Sequence, residues 1–244
     1  MKRALVTGAA AGLGRAMAEQ LAGEGWEVTG LDRDKGAHVA IRADLADPQE
    51  LDRALGEAIA AGPYDLVVLN AGVSATGRFE AIPQDVHGRV LAVNAEASIV
   101  FANGLVRTGA LKPGAGLVFV SSLSHFVGYP GAASYAASKS AVAVYAKSIR
   151  KPMKTRGYSV TLACPGPMQT GQAERHAPPA ARADKRMTAE AAAKAIVKAA
   201  LAGRFLVVPG VPNRVSSLFG RLAPRLATRT MRKLIYAKLD RDVW

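Results

Sequence analysis

Short apolar runs alternate with amphipathic stretches along most of this chain. Residues 4–8 are apolar up to a glycine, and residues 13–24 then show helical spacing through Met17, Leu21 and the small Ala16 and Ala18. This is a strand, a tight turn and a helix. The same pattern predicts strands at 28–32, 39–44, 65–70, 116–122, 160–163 and 205–208. Helices are predicted from Pro48 to about 61, from about 84 to 111, and through Tyr135 past Tyr145. Runs such as Leu66-Val67-Val68-Leu69 and Leu117-Val118-Phe119-Val120 are apolar on both faces, as strands are when helices cover each side of a parallel sheet. The expected fold class is therefore α/β, a doubly wound parallel sheet of about seven strands with helices on both faces.

Composition adds bounds. At 244 residues and 50% hydrophobic, the chain can bury one sizeable core. It shows no linker, repeat or low-complexity tract, so a single domain over 1–244 is expected, with 211–244 as a basic C-terminal helical extension. Cys164 stands alone, which excludes an intramolecular disulfide, argues against structural zinc and fits a reducing, cytoplasmic setting. The four histidines (His38, His87, His125, His176) lack metal-ligand spacing, so no metal is expected. Lys2-Arg3 before an apolar run looks like the start of a secretion signal, but the run stops at Thr7-Gly8. No stretch of about 18 uninterrupted apolar residues suggests a membrane span.

Charge changes the picture more. The formal charge is +13. Residues 211–244 hold Arg214, Arg221, Arg225, Arg229, Arg232, Lys233, Lys238 and Arg241 against Asp240 and Asp242, a net of +6. In this tail Leu218, Leu222 and Leu226 recur at helical spacing beside Arg221, Arg225 and Arg229, with Pro224 interrupting. Three accounts stay open: packing over the substrate cleft or on a partner subunit, peripheral contact with anionic lipid, and nucleic acid, the last unsupported by any stacking-aromatic pattern.

Ligands of doubly wound sheets bind beyond the carboxyl ends of the strands, near the point where strand order reverses. Gly8, Asp32, Asn70, Ser122 and Pro165 fall at those ends. Gly8, Gly12 and Gly14 lie between the first strand and its helix, where they would bring backbone close to a pyrophosphate and aim N–H groups such as that of Leu13 at it. The spacing is not the common GxGxxG. Asp32 can accept from both adenosine ribose hydroxyls and repel a 2′-phosphate, which favours NAD, whereas Arg33 beside it could attract that phosphate and favour NADP. Asp44, with Leu45 following, could receive the adenine amine. Asn70-Ala71-Gly72 would close over the adenosine, or serve only as turn chemistry.

For the reacting end, Lys139 follows Tyr135 by one helical turn, so both side chains share a face where an ammonium can stabilise a tyrosinate. Tyr135 would then exchange a proton with an alcohol or ketone, and Ser122 would hold the substrate oxygen. Asn94 either holds a water behind Lys139 or is a satisfied buried amide. Pro165, Gly166, Met168 and Thr170 would carry the chain past the nicotinamide, and Ser124 and His125 would face the substrate.

With Thr7-Gly8-Ala9-Ala10-Ala11-Gly12-Leu13-Gly14, Leu69-Asn70-Ala71-Gly72, Asn94, Ser122, Tyr135-Ala136-Ala137-Ser138-Lys139 and Pro165-Gly166 in order, the chain resembles the short-chain dehydrogenase/reductase family over about residues 3–210. The resemblance implies a seven-stranded Rossmann-type sheet and a catalytic set of Asn94, Ser122, Tyr135 and Lys139. It also implies a small-molecule alcohol or ketone substrate, and a homodimer or homotetramer built partly on the Tyr135 helix. Ala11 stands where many NADP-dependent members have a basic residue, and the tail after Gly210 departs from the usual tetramer ending. Substrate choice would rest on 74–79, 123–129 and a lid at 169–187 containing Arg175, His176, Arg182, Lys185 and Arg186 beside Glu174 and Asp184. That lid fits either an anionic substrate or a solvated loop. A protein of this fold that binds dinucleotide without turnover, as a sensor or scaffold, is the rival to an active oxidoreductase.

Overall fold

The computed structural model describes residues 1–176, 186–239 and 242–244. Lid residues Arg182, Asp184 and Lys185 and tail residues Asp240 and Arg241 lie outside the described residues.

The main sheet has seven parallel strands: β1 (Arg3–Thr7), β2 (Glu27–Asp32), β3 (Val39–Arg42), β4 (Tyr64–Leu69), β5 (Leu111–Val120), β6 (Ser159–Ala163) and β9 (Leu206–Val207). Their spatial order is β3-β2-β1-β4-β5-β6-β9, reversing direction between β1 and β4. The doubly wound, Rossmann-type expectation holds. A small parallel pair, β7 (Met168–Gln169) with β8 (Met187–Thr188), stands apart from it.

Strand alternation assigns the two cores. Leu5, Val67, Leu69, Leu117 and Phe119 turn to one face, where they meet Leu51 and Ala54 of α2 (Pro48–Ala61), Phe101 and Leu105 of α4 (Ala97–Arg107), and Val142 and Ala146 of α5 (Ala133–Thr155). Ala4, Val6, Leu66, Val68, Val118 and Val120 turn to the other, against Leu13 and Met17 of α1 (Gly12–Gly23) and Ile196 and Val197 of α7 (Ala189–Leu201). Both strand faces are buried because helices cover both.

Three differences from expectation have local causes. The predicted helix over 84–111 is α3 (Gln84–Leu91), a π-helical turn (Ala92–Glu96) and α4, ending at Arg107 where Thr108 and a left-handed Gly109 turn the chain. Strand β5 begins at Leu111 rather than 116, because Leu111 still pairs with Tyr64 across an irregular stretch containing Pro113 and Gly114. Helix α7 was not anticipated, although Thr188 caps it by accepting from the N–H of Ala191 at 3.2 Å.

By length and mean hydropathy the run Gln84–Arg107 could cross a membrane, but 56% of its most apolar window is buried within the protein and Asn94 and Ser98 are buried inside it. It is a core helix. The tail forms α8 (Val211–Leu222) and α9 (Pro224–Leu234), after α6 (Gly171–His176) has completed the site wall.

Candidate active site

The carboxyl ends of β1 and β4 are tied together before any ligand is considered. The hydroxyl of Thr7 accepts from the N–H groups of Asn70 at 2.9 Å and Ala71 at 3.0 Å, and the Asn70 amide donates back to the Thr7 carbonyl at 3.0 Å. Gly14 is required by close approach, since a Cβ there would lie 1.9 Å from the Gly8 carbonyl oxygen. Gly8 itself has φ +74, and a Cβ there would lie 2.7 Å from the Asn70 amide nitrogen.

A cavity of about 810 Å³ opens above these ends. Among the cofactor residues expected from sequence, Gly8, Gly12, Leu13, Asp32, Arg33, Asp44, Leu45, Asn70, Ala71, Gly72, Pro165, Met168 and Thr170 line it. Tyr135 and Lys139 line its other end, beside Val120 and Ser121. Gly14 and Gly166 are not in the lining: Gly14 packs on Gly8, and a Cβ on Gly166 would meet the Asn213 side chain at 2.4 Å. Ser122 is not in the lining either; it is half-buried, and its hydroxyl bonds to Tyr135 and accepts from the N–H of Ser124 at 3.2 Å. The expected substrate contacts Ser124 and His125 also miss the cavity. His125 turns toward α5, its Nδ1 3.4 Å from the Ser140 hydroxyl and its Nε2 3.0 Å from Lys147 Nζ.

Asn94 is fully buried in the π-helical turn. Its Oδ1 accepts from the Val73 N–H at 2.7 Å, and its Nδ2 donates to the Val73 carbonyl and the Ser138 hydroxyl, each at 2.9 Å. The amide is satisfied by protein and fastens the cavity wall to α5. A Cβ on Gly72 would lie 3.2 Å from both Asn94 Oδ1 and Lys139 Nζ, so the absence of a side chain there lets the two approach.

Electrostatics correct one expectation. Burial raises the Tyr135 phenol above its ordinary value, with the Ser122 hydrogen bond opposing. Lys139 does not hold the tyrosinate directly: its Nζ donates to the Val120 carbonyl at 2.9 Å and lies 5.9 Å from the phenol ring centre. Burial brings the Lys139 amine down from 10.5 to about 8. At neutral pH the site thus holds a neutral phenol and a mostly protonated amine.

At the other end, the Asp32 carboxylate accepts from the N–H groups of Ala10 at 2.9 Å and Asp34 at 3.0 Å, which fixes it facing the cavity with lone pairs to spare. Arg33 pairs with Asp34 at 3.7 Å. For Asp44, burial alone would raise the carboxyl, but a 2.6 Å bond from Arg89 and the N–H of Ala46 outweigh it and hold the pKa below the ordinary range.

Sequence reasoning missed Arg89 and Ser121, which line the cavity; His176, expected in the lid, and Val243 and Trp244, from the tail expected over the cleft or on a partner, line it as well. Ser121 fixes α5 by donating to the Lys139 carbonyl at 2.7 Å. Thr76 binds the tail through two 2.8 Å backbone bonds with Val243 and lies 3.0 Å from the His176 ring. The serine pair at the end of β5 was a signal for Ser121; nothing local pointed to Val243. Among the described residues no three His, Cys, Asp or Glu side chains gather as a metal site would need.

A family model described as short chain dehydrogenase matches residues 2–180. The chain is 33% identical over 184 residues to "Probable oxidoreductase EphD" of Mycobacterium tuberculosis, covering 68% of this chain but only 31% of that protein's length. It is 32% identical over 234 residues to "1-deoxy-11-beta-hydroxypentalenate dehydrogenase" of Streptomyces exfoliatus, covering 88% and 85% of the two chains. Two solved structures share the fold. One is a short chain dehydrogenase/reductase from Burkholderia phymatum in complex with NAD (TM-score 0.79, 22% identity, 93% of this chain and 95% of that one). The other is a short-chain dehydrogenase from Sphingobium yanoikuyae in complex with NADPH (TM-score 0.77, 20% identity, 93% and 95%).

Proposed function

The chain belongs to the short-chain dehydrogenase/reductase family of oxidoreductases, and we propose that it transfers hydride between NAD and a secondary alcohol or ketone, with Tyr135 as the proton donor and acceptor. One observation carries this reading: Tyr135 and Lys139 stand at one end of a single cavity whose other end is the Gly8 turn and Asp32.

The residues fit a nicotinamide dinucleotide. Ala11 gives α1 no side-chain cap, so the first N–H groups of the helix, at Gly12 and Leu13 in the cavity wall, are left for an anion such as a pyrophosphate. Asp32 has acceptor capacity for ribose hydroxyls, and Arg33 is drawn to Asp34, which together support NAD over NADP. The nicotinamide, when bound, supplies or accepts the hydride.

The chain's own groups handle the proton. Tyr135, neutral at rest, donates its phenolic hydrogen to a carbonyl oxygen in reduction, and Ser122 steadies the phenolate that results. In oxidation Tyr135 must first lose that proton, and the nearby Lys139 charge lowers the cost through a low-dielectric medium. Asn94 acts by position, holding Val73 and α5 together through Ser138. A relative named as a dehydrogenase of a hydroxylated compound supports an alcohol or ketone as the substrate class.

The test is NADH fluorescence with and without a panel of secondary alcohols and ketones. Turnover of at least one is expected. Tight binding with no turnover across a broad panel would instead support a dinucleotide sensor.

A further inference from the structure

Helix α8 is built inside out. The side facing the protein carries small and polar residues, with Ser217 and Gly220 buried and a Cβ on Gly220 only 2.4 Å from the Phe126 carbonyl oxygen. The large apolar residues point to solvent: Val211 is 69% exposed, Val215 64%, Leu218 56% and Leu222 77%. Spaced by four, three and four, these form one stripe along the helix, and Leu226 at 54% extends it past the break at Ala223. An ordinary surface helix has the opposite arrangement.

On α9 the residue turned inward is Ala227, at 2% exposure. The ridge opposite it holds Arg225, Arg229 and Arg232, all exposed. Seven basic residues and no acidic one lie between 211 and 239. Arg214, Arg221, Arg225, Arg229, Arg232 and Lys233 form no salt bridge with any described residue.

We propose that this face docks on an anionic phospholipid surface, the leucine and valine stripe entering the headgroup boundary while the arginines meet phosphate and carboxylate headgroups. Charge decides between the occupants. A second copy laid symmetrically on the same face would bring two uncompensated basic ridges together, which costs energy. A nucleic acid would match the charge but leave the apolar stripe unburied. An anionic bilayer satisfies both, because long arginine stems reach the headgroups while apolar neighbours lie deeper.

The test is flotation of the full chain with phosphatidylglycerol-rich and with pure phosphatidylcholine vesicles, at low and high salt. Binding to the anionic vesicles alone, weakened by salt, is expected. Leu218→Asp with Leu222→Asp should abolish it, and each of Arg225→Glu and Arg229→Glu should weaken it by about fivefold or more. Lys151→Glu, exposed on α5, makes the same change in net charge as either arginine variant, away from the face, and should leave binding intact. Circular dichroism melts confirm that each variant is folded, and none of these residues lines the cavity. The proposal is overturned if anionic vesicles are not bound, if the leucine variant binds as before, or if the α5 control loses as much as the arginine variants. It is also overturned if light scattering shows a dimer that the leucine variant dissociates.

Discussion

Lys139 Nζ stands 5.9 Å from the centre of the Tyr135 ring while donating its hydrogen bond to the Val120 carbonyl. The pair shares a helix face, as its spacing requires, yet the amine gives its hydrogen bond to the backbone and not to the phenol. The direct partner of the phenol is Ser122.

This division makes the two reaction directions respond differently to pH. Burial raises the Tyr135 pKa, so the free enzyme has the proton in place for ketone reduction throughout the neutral range. Alcohol oxidation needs that proton gone. Its kcat/KM should climb between about pH 7 and 9 while that of reduction does not. Initial-rate profiles in both directions check this, and a flat oxidation profile contradicts it.

Tyr135→Phe removes the proton carrier together with its hydrogen bond to Ser122 and keeps the ring. Turnover should fall on the order of 10²–10⁴-fold with NADH affinity within a few fold of wild type. Ser122→Ala should lower kcat less, and should push the alkaline rise in oxidation to higher pH because its hydrogen bond favours the phenolate.

Burying Lys139 opposes folding in a definite pH window. Its folded pKa is about 8 against 10.5 for a free lysine, so the folded state sheds the proton first. The penalty is full below about pH 8 and fades as pH rises toward 10.5. The gap corresponds to roughly 3 kcal/mol, of which the lost bond to Val120 would return about 1. Lys139→Met should therefore be inactive yet more stable by about 2 kcal/mol at pH 7, an advantage that shrinks near pH 10. Urea titrations of both proteins at the two pH values measure it.

Arg89 holds the Asp44 carboxylate at 2.6 Å in the cavity wall, on the side that the proposed dinucleotide's adenosine would occupy. In Arg89→Ala the carboxyl pKa should rise and KM for the dinucleotide should increase on the order of tenfold, with kcat unchanged because the reacting end is untouched. Steady-state kinetics at saturating substrate separate the two effects.

Asp32 should set the cofactor. NADH is expected to bind more tightly than NADPH, and Asp32→Ser should weaken NADH on the order of tenfold while improving NADPH. Fluorescence titration with both cofactors decides; tighter NADPH binding by the wild type would remove Asp32 from this role.

The strands that build the site were legible because β1, β4 and β5 are apolar on both faces. Gly8, Asn70 and Asp32, at the ends of β1, β4 and β2, could be placed from the apolar run that each one closes. Arg89 could not, because its partner Asp44 lies 45 positions away, in the loop after β3, and only the folded chain brings the two together. His125 was misplaced for a related reason: proximity in sequence to Ser122 says nothing about which way a 3₁₀ turn (Leu123–His125) directs its last side chain. Helix α7 is marked in the sequence by a capping threonine and an alanine-rich run.

The π-helical turn at Ala92–Glu96 sets the angular phase between α3 and α4. Each residue advances a helix by about 100°, so deleting one there would swing Val86, Arg89 and Val90 away from the cavity for as long as Phe101 and Leu105 stayed seated in the core. The segment works like a keyed shaft coupling. Substitutions can be absorbed along its outer side, but a change in residue count cannot.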